Sequence, residues 1–193
     1  MAANKFSIVI SGWPAVGKTT IAGKLAEEFG LVMYNGGDIL KLLAAEKGYS
    51  TKRDDWWDTS EAKKFMQERK SDPSFDKKVD KKLAETVRKG AAVITSYTLP
   101  WLVKEDSVVK LWLRGSPENR AKRMANRDDI GFAEAKRVIA LRDKENKKIY
   151  YKLYGFRFGE DLAVFDYMLN TDRLLLTSLI EISKLIVRRH IGV

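Results

Sequence analysis

The stretch "FSIVISGWPAVGKTTIAGKLAEEFG", residues 6–30, decides the fold. Phe6 to Ser11 form a short, β-rich apolar run that reads as a buried parallel strand. Thr19 to Phe29 carry Ile21, Ala22, Leu25, Ala26 and Phe29 at helical spacing, and Gly30 ends that helix. Between them lies "GWPAVGKTT", Gly12 to Thr20, with the spacing Gly, four residues, Gly-Lys-Thr. A strand, such a loop and then a helix make a phosphate cradle. Gly12 and Gly17 let the backbone curl so that successive N–H groups face one centre, and the helix N-terminus adds partial positive charge. Lys18 is placed to reach the outer phosphates of ATP, and Thr19 to offer its hydroxyl to Mg²⁺. Trp13 and Pro14 stiffen and cover the loop, and Ala15, Val16 and Thr20 complete the expected triphosphate contact.

Working outward, further short strands are expected at 31–34, 91–96, 107–113 and 165–171. Helical patterns lie between them: Ile39 to about Lys47, two or three helices in 50–89, Pro117 to about Arg127, 131–150, and 173–189. Strands alternating with helices imply an α/β fold, a five-stranded parallel sheet of the P-loop NTPase type with helices on both faces. The expected organisation is one domain over 1–193, with a helical acceptor-binding insertion at about 38–89 and a short arginine-rich lid at about 127–150.

Composition narrows the function. Cysteine is absent, so disulfides and thiolate metal sites are excluded. No apolar run approaches the roughly 20 residues that cross a bilayer, and "MAANK" lacks a following h-region. A cytoplasmic protein, monomer or homodimer, is the expectation. The net charge is +10, and 13 Lys/Arg against 6 Asp/Glu fall between Arg114 and Arg157. That is where a kinase lid belongs, because a small-molecule kinase must exclude water from the transferring group. Arg120, Arg123 and Arg127 share one helix face, and Arg142 follows. Guanidinium groups suit the equatorial oxygens of a transferring phosphoryl group. A non-catalytic, nucleic-acid-binding relative is the reading from another class; the absence of any nucleic-acid module weighs against it.

The ordered series of motifs resembles the archaeal cytidylate kinases, a branch of the nucleoside monophosphate kinases, over nearly the whole chain. "NGGDIL" resembles the Gly-Asp segment after the second strand, and "DPSFDKKVD" the start of the acceptor helix. "LWLRGSPENRAKRMANRDDIGFAEA" resembles the fourth strand and lid entry, and "RDKENKKIYYKLYGF" with "DLAVFDYMLNT" the lid helix and last strand. The resemblance implies CMP or dCMP phosphorylation by Mg·ATP, with Arg120 near adenine, the loop after Asn170 wrapping the base, and Arg123 and Arg142 on phosphates. The chain departs from the family around the acceptor. The resemblance implies an acid ending the third strand and then Gly-Arg; the acid is missing, Ser96-Tyr97 stand at the Gly-Arg positions, and Lys41 and Ile149 stand for two further arginines.

An acceptor phosphate beside ATP needs several positive charges, and Tyr97 and Ile149 supply none. Asp38 can accept a proton from an alcohol acceptor or orient Mg²⁺; equally, it can cap the helix that follows. Lys18, Asp38, Arg123 and Arg142 are the candidate catalytic groups. Lys41, Arg53, Tyr97 and Asp80 are the candidate acceptor-binding groups, with Asp54, Asp55, Trp56, Trp57 and Asp58 in the same region. Two acceptors remain open: CMP or dCMP, and a phosphorylated non-nucleotide alcohol such as mevalonate 3-phosphate.

Overall fold

The computed structural model describes residues 6–51, 60–72 and 74–192. At its centre, β1 (Ser7–Gly12) is buried along its whole length. It pairs in parallel with β3 (Ala92–Thr95) through Ile8↔Val93 and Ile10↔Thr95, and with β4 (Val108–Arg114) from Ser7↔Val108 to Gly12↔Leu113. With β2 (Val32–Asn35) and β5 (Tyr167–Asn170) at the edges, the order is β2-β3-β1-β4-β5. All pairings are parallel, as the sequence pattern implies.

Alternation along β1 feeds two cores. Ile8 and Ile10 pack with Ile21, Ala22 and Leu25 of α1 (Lys18–Phe29) and Leu179 and Val187 of α8 (Leu176–Ile191). On the other face Val9 meets Ile39, Leu40 and Leu43 of α2 (Gly36–Glu46), with Val79, Leu83 and Val87 of α4 (Ser74–Lys89). Strands buried on both sides have no polar face to show, hence their unbroken apolar reading. Because β2 lies on one side of β1, and β4 and β5 on the other, the loop after β1 sits where the connections reverse. Open parallel sheets leave their ligand crevice there, beyond the carboxyl ends.

The insertion resolves into α3 (Ser60–Ser71) and α4. Arg53, Asp54, Asp55, Trp56, Trp57 and Asp58 lie outside the described residues. The structure adds α5 (Leu99–Leu102), a single turn after β3 with Pro100 in its first turn. After β4 come α6 (Pro117–Asp128), capped by the Ser116 hydroxyl on Asn119 N–H, and α7 (Phe132–Tyr154). α7 runs four residues past the expected end at 150 and stops at Gly155, whose φ of 77° suits a residue without Cβ.

Leu111 is fully buried between both sheet neighbours and the α1/α8 core. Leu111→Ala is expected to cost about 2–5 kcal/mol, read as a lowered urea midpoint at unchanged slope.

Candidate active site

The loop between β1 and α1 departs from ordinary backbone at Gly12 (φ 145°), Ala15 (φ 60°) and Gly17 (φ 92°). A Cβ on Gly12 would lie 2.2 Å from the Leu113 carbonyl oxygen on β4, so glycine is dictated by packing as well as by φ. Positive-φ residues alternating with ordinary ones curl a loop into an anion-binding concavity. α1 then opens at Lys18 with no side-chain cap on Gly17. Its first N–H groups are left for a ligand, which is what a phosphate site requires.

Lys18 lies folded back over the loop. Its Nζ donates to the Gly12 carbonyl (2.8 Å) and the Trp13 carbonyl (2.9 Å), and sits 4.5 Å from the centre of the Tyr97 ring. Burial, then the guanidinium groups of Arg142 and Arg120, lower its pKa to about 7.

Two cavities meet at this lysine. One, of about 820 Å³, is walled by Pro14 to Thr20, by Arg123, Arg127 and Arg142, and by Thr171, Leu174, Leu175, Leu176 and Leu179. The loop, three arginines and an apolar wall fit a nucleoside triphosphate. The other, of about 510 Å³, lies between α2, α4, the end of β3 and α7; Asn35, Asp76, Asp80, Ser96, Tyr97, Asn146 and Tyr150 are among its walls. Lys18, Thr19, Tyr97 and Arg142 line both. The two compartments share one boundary, and the first is called the donor cavity and the second the acceptor cavity. Thr19 is exposed at that boundary. Among the described residues no cluster of three acids or histidines offers a metal site.

The candidate residues separate accordingly. Arg123 lines the donor cavity and donates to the Thr171 hydroxyl (2.9 Å) and carbonyl (2.7 Å), fixing the turn after β5. Asn170 accepts from Asp172 N–H through its side chain, so it shapes that turn while Thr171 and the leucines form the wall. Arg142 is exposed at the cavity boundary.

Arg120 is a correction. It is 2% exposed and lines neither cavity; its guanidinium is held bidentately by Asp143 of α7 at 2.9 and 2.6 Å, beneath the Trp13 ring. A buried cation takes the nearest carboxylate, so the Arg120 guanidinium is engaged inside the protein rather than at a cavity wall. Asp38 takes up the capping alternative, as the third residue of a capping box rather than as the N-cap itself. Its carboxylate turns back to Asn35, accepting from the backbone N–H (3.2 Å) and the side-chain amide (2.7 Å), while Asn35 Oδ1 accepts from Asp38 N–H. This capping box starts α2 at Gly36, three residues earlier than expected, and leaves Asp38 exposed and outside both cavities. Lys41 is half-buried and also lines neither.

Asp80 does line the acceptor cavity, accepting from the Thr98 hydroxyl and the Tyr154 hydroxyl, each at 2.5 Å. Sequence reasoning passed over Asn35, Thr98 and Tyr150. The signal available for Tyr150 was its place in the stripe Arg142, Asn146, Tyr150 along α7, four residues apart.

A phosphate-binding loop on a five-stranded parallel sheet, with an arginine-walled donor cavity and a second cavity across one lysine, defines an ATP-dependent phosphotransferase. The family model described as cytidylate kinase-like matches residues 7–173, and the chain belongs to that family. It is 33% identical to cytidylate kinase of Pyrobaculum aerophilum over 91% of this chain and 89% of that protein. It is also 33% identical to cytidylate kinase of Pyrococcus horikoshii, over 90% and 83%. A shikimate kinase from Bacteroides thetaiotaomicron shares the fold, with a TM-score of 0.57 and 16% identity over 97% of this chain and 99% of that one.

A triphosphate settling on Lys18 favours its charged form and returns its pKa towards the ordinary 10.5. Below about pH 7 the free lysine is already charged, so affinity for ATP is expected to be flat in this group. Above about 7 it falls, by up to tenfold per pH unit. Calorimetry at pH 8 in buffers of different ionisation enthalpy should show net uptake of most of one proton, and Lys18→Met should abolish that uptake.

Gly159 offers a second test. A Cβ there would lie 2.1 Å from the Trp13 indole, and its φ of 81° already disfavours a side chain. Gly159→Ala is expected to push Trp13 off the loop, lowering the melting temperature and weakening ATP binding together.

Proposed function

We propose that the protein transfers the γ-phosphoryl group of ATP to a hydroxyl of a small, non-nucleotide alcohol, of which mevalonate 3-phosphate is an example. One observation carries the reading. Among the described residues, the cations lining the acceptor cavity are Lys18 and Arg142, and both are shared with the donor side. The same cavity is lined by the carboxylates Asp76 and Asp80. A nucleoside monophosphate would bring its own dianion against the triphosphate and needs cations beyond those the donor already engages. Tyr97 stands at the boundary where the family pattern calls for arginine. A hydroxyl makes no such demand, and any anionic group on the acceptor then lies away from the reacting oxygen.

The residues act mainly by position and charge. The loop N–H groups and Lys18 hold the phosphates, Arg123, Arg127 and Arg142 face the donor, and the acceptor oxygen is brought in line from the other cavity. Phosphoryl transfer has a loose transition state with little demand on a base, so Asp38 can remain a capping residue. Thr19 would hold Mg²⁺, which supplies charge neutralisation across the outer phosphates.

The second reading, phosphorylation of CMP or dCMP, is favoured by the two cytidylate kinases that are 33% identical over nine-tenths of this chain. ADP release with CMP, dCMP, UMP, AMP, mevalonate and its phosphates separates the two. Turnover with an alcohol and not with nucleotides is expected; preference for CMP or dCMP would replace the first reading by the second. With whichever acceptor is turned over, Lys18→Ala is expected to lower kcat by about 10²–10³-fold, and an unchanged kcat would refute the mechanism.

A further inference from the structure

Between the two cavities, Tyr97 is half-buried and touches three things. One face carries the Lys18 ammonium at 4.5 Å. The ring is also stacked with Tyr150 of α7, centroids 6.1 Å apart at 27°, and meets Phe158 edge-on at 5.7 Å. Lys18 itself is anchored by the carbonyls of Gly12 and Trp13. Tyr150 belongs to the stripe that presents Arg142 and Asn146 to the same cavity. Arg142 and Asp143 on α7, with Arg120 and Arg127 on α6, are the other charges acting on Lys18.

We propose that Tyr97 is the positioning residue through which helix α7 holds or releases Lys18, so that closing of α7 over the site frees the lysine from the loop carbonyls onto the phosphates. The inference holds for phosphoryl transfer to either acceptor. An aromatic ring attracts an ammonium through its quadrupole, more strongly where water is excluded. Here that attraction keeps Lys18 parked while the phosphate site is empty. A rigid aromatic pair transmits displacement, because stacked rings have few alternative arrangements. When α7 carries Arg142 towards the donor, Tyr150 takes Tyr97 with it. The ring leaves the ammonium, and the lysine turns to the incoming negative charge. In this chain an aromatic ring therefore occupies the boundary position, coupling the arginine-bearing helix to the phosphate-binding lysine.

The test uses the reactivity of Lys18, which requires no knowledge of the acceptor. The full-length protein is labelled with acetic anhydride at pH 6, where the free Lys18 still carries its charge, and the modification of Lys18 is followed by peptide mass spectrometry. Lys24, exposed on the far part of α1, is the internal reference. Tyr97→Leu and Tyr150→Leu are each expected to accelerate Lys18 labelling roughly 3- to 10-fold relative to Lys24, while Tyr97→Phe restores slow labelling. The double variant should be no faster than the quicker single one, since both act through one ring.

Pentafluorophenylalanine at position 97 keeps shape and volume while removing the electron-rich face, and covers the case in which Tyr97→Leu fails to fold. It should label as fast as the leucine variant. Slow labelling with the fluorinated ring would overturn the hold on Lys18. Slow labelling in Tyr150→Leu, with fast labelling in Tyr97→Leu, would overturn the coupling to α7. Acceleration of Lys18 and Lys24 alike would show general loosening and overturn both.

Discussion

The geometry of the site depends on the buried ion pair between Arg120 and Asp143. A guanidinium that is 2% exposed cannot persist unpaired, and here nearly every donor has somewhere to go. Two bonds run to Asp143 of α7, Nε donates to the Gly115 carbonyl before α6, and Nη1 approaches the Pro14 carbonyl of the phosphate-binding loop at 3.5 Å. Three segments distant in sequence are thereby held to one side chain. The Trp13 ring above it adds a cation–π contact at 5.6 Å. Breaking the pair would leave a buried charge without compensation, a cost of about 3–5 kcal/mol, so the loop and the α6–α7 pair are held in a common frame.

A second constraint works alongside it. Trp13, Trp101, Trp112, Tyr150, Phe156 and Phe158 form a continuous aromatic cluster under the loop and the end of α7. Trp101 and Phe156 stack at 4.2 Å, and Trp13 meets Phe158 edge-on at 4.9 Å. Aromatic pairs have preferred geometries, so this core fixes orientation as well as burying area. Asp80 extends the frame into the acceptor cavity by binding Thr98 after β3 and Tyr154 at the end of α7. The two cavities are therefore built on one scaffold, and they differ in charge because one is walled by arginines and the other also by carboxylates.

Much of this was legible from spacing. "GWPAVGKTT" between an apolar run and a helical pattern could be read because loop, strand and helix are all local in sequence, and the Gly12 and Gly17 backbone bears them out. The alternating elements implied the parallel sheet because strands covered on both faces must be apolar throughout. Arg120, which the resemblance places near adenine, is engaged by a partner that spacing does not reveal, Asp143, 23 residues away; the Asn35–Asp38 capping box, by contrast, is local in sequence. α5 was also missed, since four residues are too short to show a period.

The sequence by itself determined the phosphate-binding loop, the order of strands and helices, and the concentration of positive charge between Arg114 and Arg157. Each is a property of neighbouring residues. Only the tertiary structure decided which of those charges line a cavity. Burial forces Arg120 into a structural pair, while Arg123, Arg127 and Arg142 remain at the donor cavity. It likewise decided that Tyr97 rests between Lys18 and Tyr150. That arrangement arises where β3, α1 and α7 converge, and the energy of such a contact depends on how the elements pack rather than on what any one of them contains.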